Sequence, residues 1–171
     1  LGALTMAKSR SICVASLLLA LLLSLQGCGF HLRGDFELPS YISPVYVAGA
    51  RSDMRTDLTR LFRQSGIEVA GEQSAASSIL RIRKFTSDRR VLALDSNGKV
   101  AEFGLIEQMR FDMVNAAGEE ILPEQTVTAR QSYINTEERV LGKQLEEDSL
   151  RSSMRRDLAT QTLRRLQTQL K

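Results

Sequence analysis

The chain has 171 residues, 43% of them apolar and 25% charged, the proportions of a folded globular protein rather than a disordered one. Its formal net charge is +3, but Lys8 and Arg10 precede a charge-free run, and without them 21 basic residues face 20 acidic ones. So even a balance argues against a nucleic-acid-binding protein.

Lys8 and Arg10 lead into Ile12–Leu25, fourteen residues without a charge. A spanning helix needs about 20 apolar residues, so the run is too short to cross a bilayer and suits the core of a signal peptide. Met6 is read as the initiator. Cys13 lies inside the signal core, which leaves Cys28 unpaired after cleavage. A lone cysteine in an exported chain needs an explanation. Leu25-Gln26-Gly27-Cys28 supplies one, because it looks like a bacterial lipobox with Gln26 in place of the usual small residue. Residues 1–27 are therefore expected to be a lipoprotein signal peptide, with Cys28 the acylated first residue. Gly29, rather than Asp, after the cysteine points to the outer membrane. Two or three acyl chains anchor stably, whereas one binds only marginally.

Residues 28–43 read as a short tether, at most about 55 Å from Cys28 to Pro44 if fully extended. Pro39 and Pro44 predict a rigid extended entry to a domain spanning 44–171. Val45–Ala48 is a short strand, turned at Gly49-Ala50-Arg51-Ser52. Ser52 or Asp53 caps a helix to about Ser65, with Met54, Leu58, Leu61 and Phe62 at helical spacing and Gly66 just past its end. Ile67–Ala70 extends briefly.

The clearest strand signal follows. Ser78–Leu94 and Lys99–Asn115 flank Asp95-Ser96-Asn97-Gly98, where Asn-Gly suits a tight hairpin turn because both residues tolerate positive φ. On the second arm Ala101, Phe103, Leu105, Met109, Phe111 and Met113 alternate, with Glu107 the exception. Glu102, Gln108, Arg110 and Asp112 fall on the wet face. After a turn at Asn115–Glu120, Gln125–Ile134 is another strand. A last helix from roughly Gly142 to Leu170 carries the stripe Leu145, Leu150, Met154, Leu158, Leu163, Leu166 and Leu170. Its acidic start and basic end complement the helix dipole, and Glu147–Arg151 is a favourable i,i+4 pair. The expected fold is α+β: two helices packed on one face of a mainly antiparallel four-stranded sheet, in β-α-β-β-β-α order.

Catalysis finds no footing. His31 is the sole histidine and stands three residues from Cys28, so a catalytic triad or a histidine metal site would sit at the base of the tether. Gly27-Cys28-Gly29 begins like a dinucleotide loop but lacks its final glycine and a preceding strand. No enzyme, cofactor or metal is expected. What remains is a basic hairpin: Arg81, Arg83, Lys84, Arg89, Arg90 and Lys99 against Asp88 and Asp95. Such cations either protect a solvated sheet edge from aggregation or form a patch for phosphorylated or acidic ligands.

Cys28-Gly29-Phe30-His31-Leu32-Arg33-Gly34 and Asn97-Gly98-Lys99-Val100-Ala101-Glu102-Phe103, together with the order of elements, resemble the LptE family of LPS-assembly lipoproteins, also known as rare lipoprotein B. The resemblance covers essentially the whole chain. It implies a non-catalytic outer-membrane lipoprotein that plugs the lumen of the LptD β-barrel, assists its assembly and binds LPS. On that basis Arg89, Arg90 and Lys99, flanking the hairpin tip, and Lys143, near the start of the last helix, are the expected LPS ligands. The competing expectation is a stand-alone periplasmic lipoprotein that binds lipid or glycan without a barrel.

Overall fold

The computed structural model describes residues 36–135 and 140–170, and side chains in the last helix from Gln144 onward. Cys28, the signal segment and the Lys143 side chain lie outside the described residues. The strands are β1 (Val45–Ala48), β2 (Ser78–Leu94), β3 (Val100–Asn115) and β4 (Glu120–Ile134). Helix α1 spans Ser52–Gln64 and α2 Val140–Gln169. The sheet order is β1-β2-β3-β4, with β1 parallel to β2 and the other neighbours antiparallel. The fold is therefore α+β as expected, with a mixed sheet; the parallel pair follows from α1, which returns the chain to the same end before β2 starts.

The inward face of β3 and the stripes of both helices make the core. Met109, Phe111, Met113, Phe62, Leu158 and Leu163 are buried there. Core contacts begin before Pro44. Phe36 and Leu38 pack against the cluster, and Ile42 is fully buried within it. The extended entry expected between Pro39 and Pro44 is instead a 3-10 turn, Ser40–Ile42, because turning Ile42 inward removes its side chain from water. The Ile42 carbonyl accepts the Ser78 hydroxyl at 2.5 Å, fixing this entry to the start of β2.

Helix α1 ends as its sequence predicts. Gly66 has φ +74°, and Ile67 N–H donates to the Phe62 carbonyl at 3.0 Å. Its start differs: Arg51 is the N-cap residue and no side chain caps it. Asp53, inside the first turn, accepts from Met54 N–H at 2.8 Å and from Arg51 Nη2 at 2.8 Å.

Both hairpin turns use one device. Asp95 Oδ1 accepts the backbone N–H of Asn97 and of Lys99, and Asn115 Oδ1 does the same for Ala117 and Glu119. Gly98 and Gly118 have positive φ, whereas Asn97 does not. The Asp95 side chain organises the loop, so one left-handed residue suffices.

Strand β4 starts at Glu120, five residues earlier than the sequence suggests. Pro123 lies within this added stretch. It is tolerated because β4 is a sheet edge and because the register slips between Phe111 and Met113, opposite this segment. Leu145 departs from its predicted stripe and is 72% exposed. In the first turns of α2, Glu147 and Arg151 face the sheet instead.

Candidate functional site at the hairpin end

The distal half of β2 is almost wholly exposed. Val91, Leu92 and Leu94 stand in solvent near the tip, as do Ile134 on β4 and Leu145 on α2. Of the predicted ligand cations, Arg89, Arg90 and Lys99 lie at this end, with Arg89 and Arg90 on opposite faces. Arg89 is opposite Leu105, on the helix side of the sheet; Arg90 is opposite Gly104, on the other side. Lys99 closes the turn through its backbone, its N–H bonded to Asp95 Oδ1 at 2.9 Å.

Arg89 is already engaged. Its Nη1 is 3.2 Å from Glu147 Oε2, and its guanidinium stacks 4.7 Å from the centre of the Phe103 ring. Arg90 approaches Asp88 only at 3.9 Å. Further down the hairpin, Arg81 grips Asp112 with two bonds of 2.7 and 2.9 Å, and Arg83 lies 3.8 Å from the same carboxylate. Asp112, expected on the wet face, is buried beneath this pair. Lys84 sits opposite Arg110, a like-charge cross-strand pair that sequence could not reveal without the register.

A polar seam that the sequence reading did not assemble joins the tip to α2. Tyr133 donates to Glu147 Oε2 at 2.7 Å, and Arg151 holds Glu147 Oε1 through Nη2 at 2.6 Å. Arg151 also bonds the Ser87 hydroxyl and lies 3.5 Å from Glu107 Oε1. Arg155, one turn on, reaches Asp57 at 2.8 Å and Asp53 at 3.3 Å, linking the two helices. The break at Glu107 in the alternating pattern was the signal for this seam. Glu107 is 4% exposed, and its Oε2 has no partner among the described residues.

The charges respond accordingly. Burial pushes the Glu107 carboxyl above the ordinary range, against the pull of Arg151 and Ser87. Burial also pushes Glu147 upward, but the Tyr133 hydroxyl and the Arg151 and Arg89 guanidinium groups outweigh it and hold Glu147 low. A cleft of about 410 Å³ opens beside this seam, lined by Arg89, Phe103, Tyr133 and Glu147 among others. Among the described residues no group of three or more acidic, cysteine or histidine side chains is arranged to hold a metal ion. The arrangement offers ion pairing and apolar contact at one end of an elongated sheet.

A model of the LptE family, described as lipopolysaccharide-assembly, matches residues 40–166. The chain belongs to the LptE family. It is 28% identical over 147 residues to the LPS-assembly lipoprotein LptE of Pectobacterium atrosepticum, covering 83% of this chain and 78% of that one. The solution structure of lipoprotein B from Nitrosomonas europaea superposes with a TM-score of 0.65 at 27% identity, over 80% of this chain and 88% of that one. The crystal structure of a minor lipoprotein from Acinetobacter baumannii gives 0.63 at 25% identity, over 75% and 92%. An LPS-assembly lipoprotein of the cell envelope is thus the established frame for the hairpin cations.

Proposed function

We propose that this LptE-family chain is a non-catalytic, cofactor-free subunit of an outer-membrane LPS-transport complex. It is anchored by acylated Cys28, docks in the lumen of an LptD-like β-barrel, and engages LPS phosphates with Arg89, Arg90, Lys99 and Lys143. The single observation that carries the ligand part is the exposed hairpin end, where Arg90 and the Lys99 turn lie near exposed Val91 and Leu94. A phosphorylated lipid presents the complementary pair of chemistries, anionic headgroup and apolar chain. The packed sheet–helix interface supports a plug rather than a carrier, since Met109, Phe111, Leu158 and Leu163 leave no exposure there. Mixed-sign outer faces suit a water-filled barrel interior.

A photo-cross-linker at Ser96, in living cells, tests the partner. Capture of an LptD-type barrel is the expected result; capture of soluble periplasmic proteins alone would favour the stand-alone lipoprotein. Cys28→Ala tests the anchor. It should abolish incorporation of labelled palmitate and release the protein from membranes, and label persisting in the variant would refute acylation at Cys28.

A further inference from the structure

Strand β1 pairs with β2 only from Ser78 to Arg81. Gly49 then turns the chain away, so close to β2 that a Cβ there would sit 2.5 Å from the Ile82 carbonyl oxygen. β2 runs on to Leu94, and no described strand flanks it on that side. Register shifts at Ile82/Lys84 and Val91/Ala93 bracket a regular run, Lys84–Val91. An edge of this kind presents unpaired backbone donors and acceptors, ready to template another strand.

Where β1 stops, a cavity of about 130 Å³ opens against this edge. Met54, Phe85 and Met109 give it an apolar lining, and Lys84 adds positive charge, while Arg51 and Arg155 there are paired with Asp53 and Asp57. Along the edge, Arg83 lies 3.8 Å from Asp112, Arg89 3.2 Å from Glu147 and Arg90 3.9 Å from Asp88, so Lys84 is the cation least matched by a carboxylate. Lys84 sits opposite Arg110, whose charge Glu124 already meets at 3.1 Å, so a carboxylate on the open side of β2 would pair with Lys84.

We propose that the Lys84–Val91 edge of β2 docks an extended, acidic segment of a partner protein, which adds a strand where β1 ends and seats one aliphatic side chain in the cavity. Main-chain hydrogen bonds then supply affinity, and the cavity and cations supply specificity. A second copy of this chain fits poorly, because two β2 edges would bring like charges together. Edge protection alone would account for the cations but gives the cavity no role.

The probe is a synthetic peptide of alternating glutamate and valine with one central leucine, titrated into the full-length protein in detergent. Its controls replace every glutamate by lysine, or the central residue by proline. The glutamate peptide should slow amide hydrogen exchange across Lys84–Val91, with the lysine peptide bound at least about tenfold more weakly and the proline peptide giving no protection. Ala50→Leu, which fills the cavity, should weaken binding by about tenfold with unchanged circular dichroism. If that variant does not fold, Lys84→Glu serves in its place, weakening the glutamate peptide and strengthening the lysine one. Equal protection by both charged peptides, or none by either, overturns the proposal. Protection that grows with protein concentration without peptide also overturns it, in favour of self-pairing.

Discussion

Arg89 and Glu147 meet at 3.2 Å across the end of the sheet, so one of the four expected LPS ligands is already neutralised by the protein itself. Glu147 is in turn held by Tyr133 and Arg151, which makes the contact part of a seam rather than a loose surface pair. A phosphate reaching Arg89 must compete with that carboxylate. Arg90, with Asp88 at 3.9 Å, faces a weaker competitor.

Removing the competitor should therefore raise affinity. Glu147→Gln frees Arg89, and a cation near an anionic lipid is worth about 1 kcal/mol, or roughly fivefold. Titration of LPS into the variant and the parent at low salt is the check. A variant that binds no more tightly would remove Arg89 from the ligand set.

The contact between buried Glu107 and the partly exposed Arg151 predicts an asymmetry in stability. Arg151→Met leaves the Glu107 carboxylate without its cation and should cost about 3 kcal/mol in urea unfolding. Adding Glu107→Met to the same chain should recover part of that loss, since an apolar pair of similar size has no charge to desolvate, while Glu147 still lacks its 2.6 Å partner. A double variant as unstable as the single one would show that the seam matters through packing, not charge.

Stability should depend on pH in two opposing windows. Asp53 is held low chiefly by its bond from Arg51; Asp57 and Glu147 are pushed up by burial but held low by their arginine and tyrosine partners. Their contribution is present above the ordinary carboxylate value of about 4 and is lost as pH falls through their lowered values. Glu107, raised by burial, behaves oppositely: its penalty is full above its raised value and vanishes below about 4. The melting temperature should hold level or rise slightly on mild acidification, then fall below about pH 4. Glu107→Gln should remove the upper part of that curve and leave the lower part intact.

Much of the fold was legible because its signals are local. The alternation on β3, the Gly66 helix stop and the apolar stripe from Met154 onward all appear where the sequence places them. The misses share a physical cause: each depends on a distant partner. The early start of β4, which includes Pro123, depends on its being a sheet edge. Leu145 is exposed because Glu147 and Arg151 find Tyr133 and Glu107 on the sheet. The cation cluster at the hairpin was visible as composition, but the alternation that puts Arg89 and Arg90 on opposite faces divides it. Its pairing with Asp112 and Glu147 required the tertiary structure.

Gly49 combines two constraints, a φ of +73° and the close approach to Ile82. Gly49→Ala incurs the left-handed cost of roughly 1–2 kcal/mol before any steric overlap is counted. Urea unfolding should show a loss at least that large, whereas Gly98→Ala, with nothing near its Cβ, should lose only the conformational part.

The measurement that bears most directly on the proposed function is LPS binding by the purified protein, parent against Arg90→Ala/Lys99→Ala, at low and high salt. Two cations at about 1 kcal/mol each correspond to roughly a thirtyfold loss of affinity, with folding little changed. Parent binding should also weaken as salt rises, because exposed charges are screened over about 10 Å at 0.1 M. Equal affinity of the double variant and the parent, with no response to salt, would contradict the account and leave the hairpin cations as a solvated sheet edge.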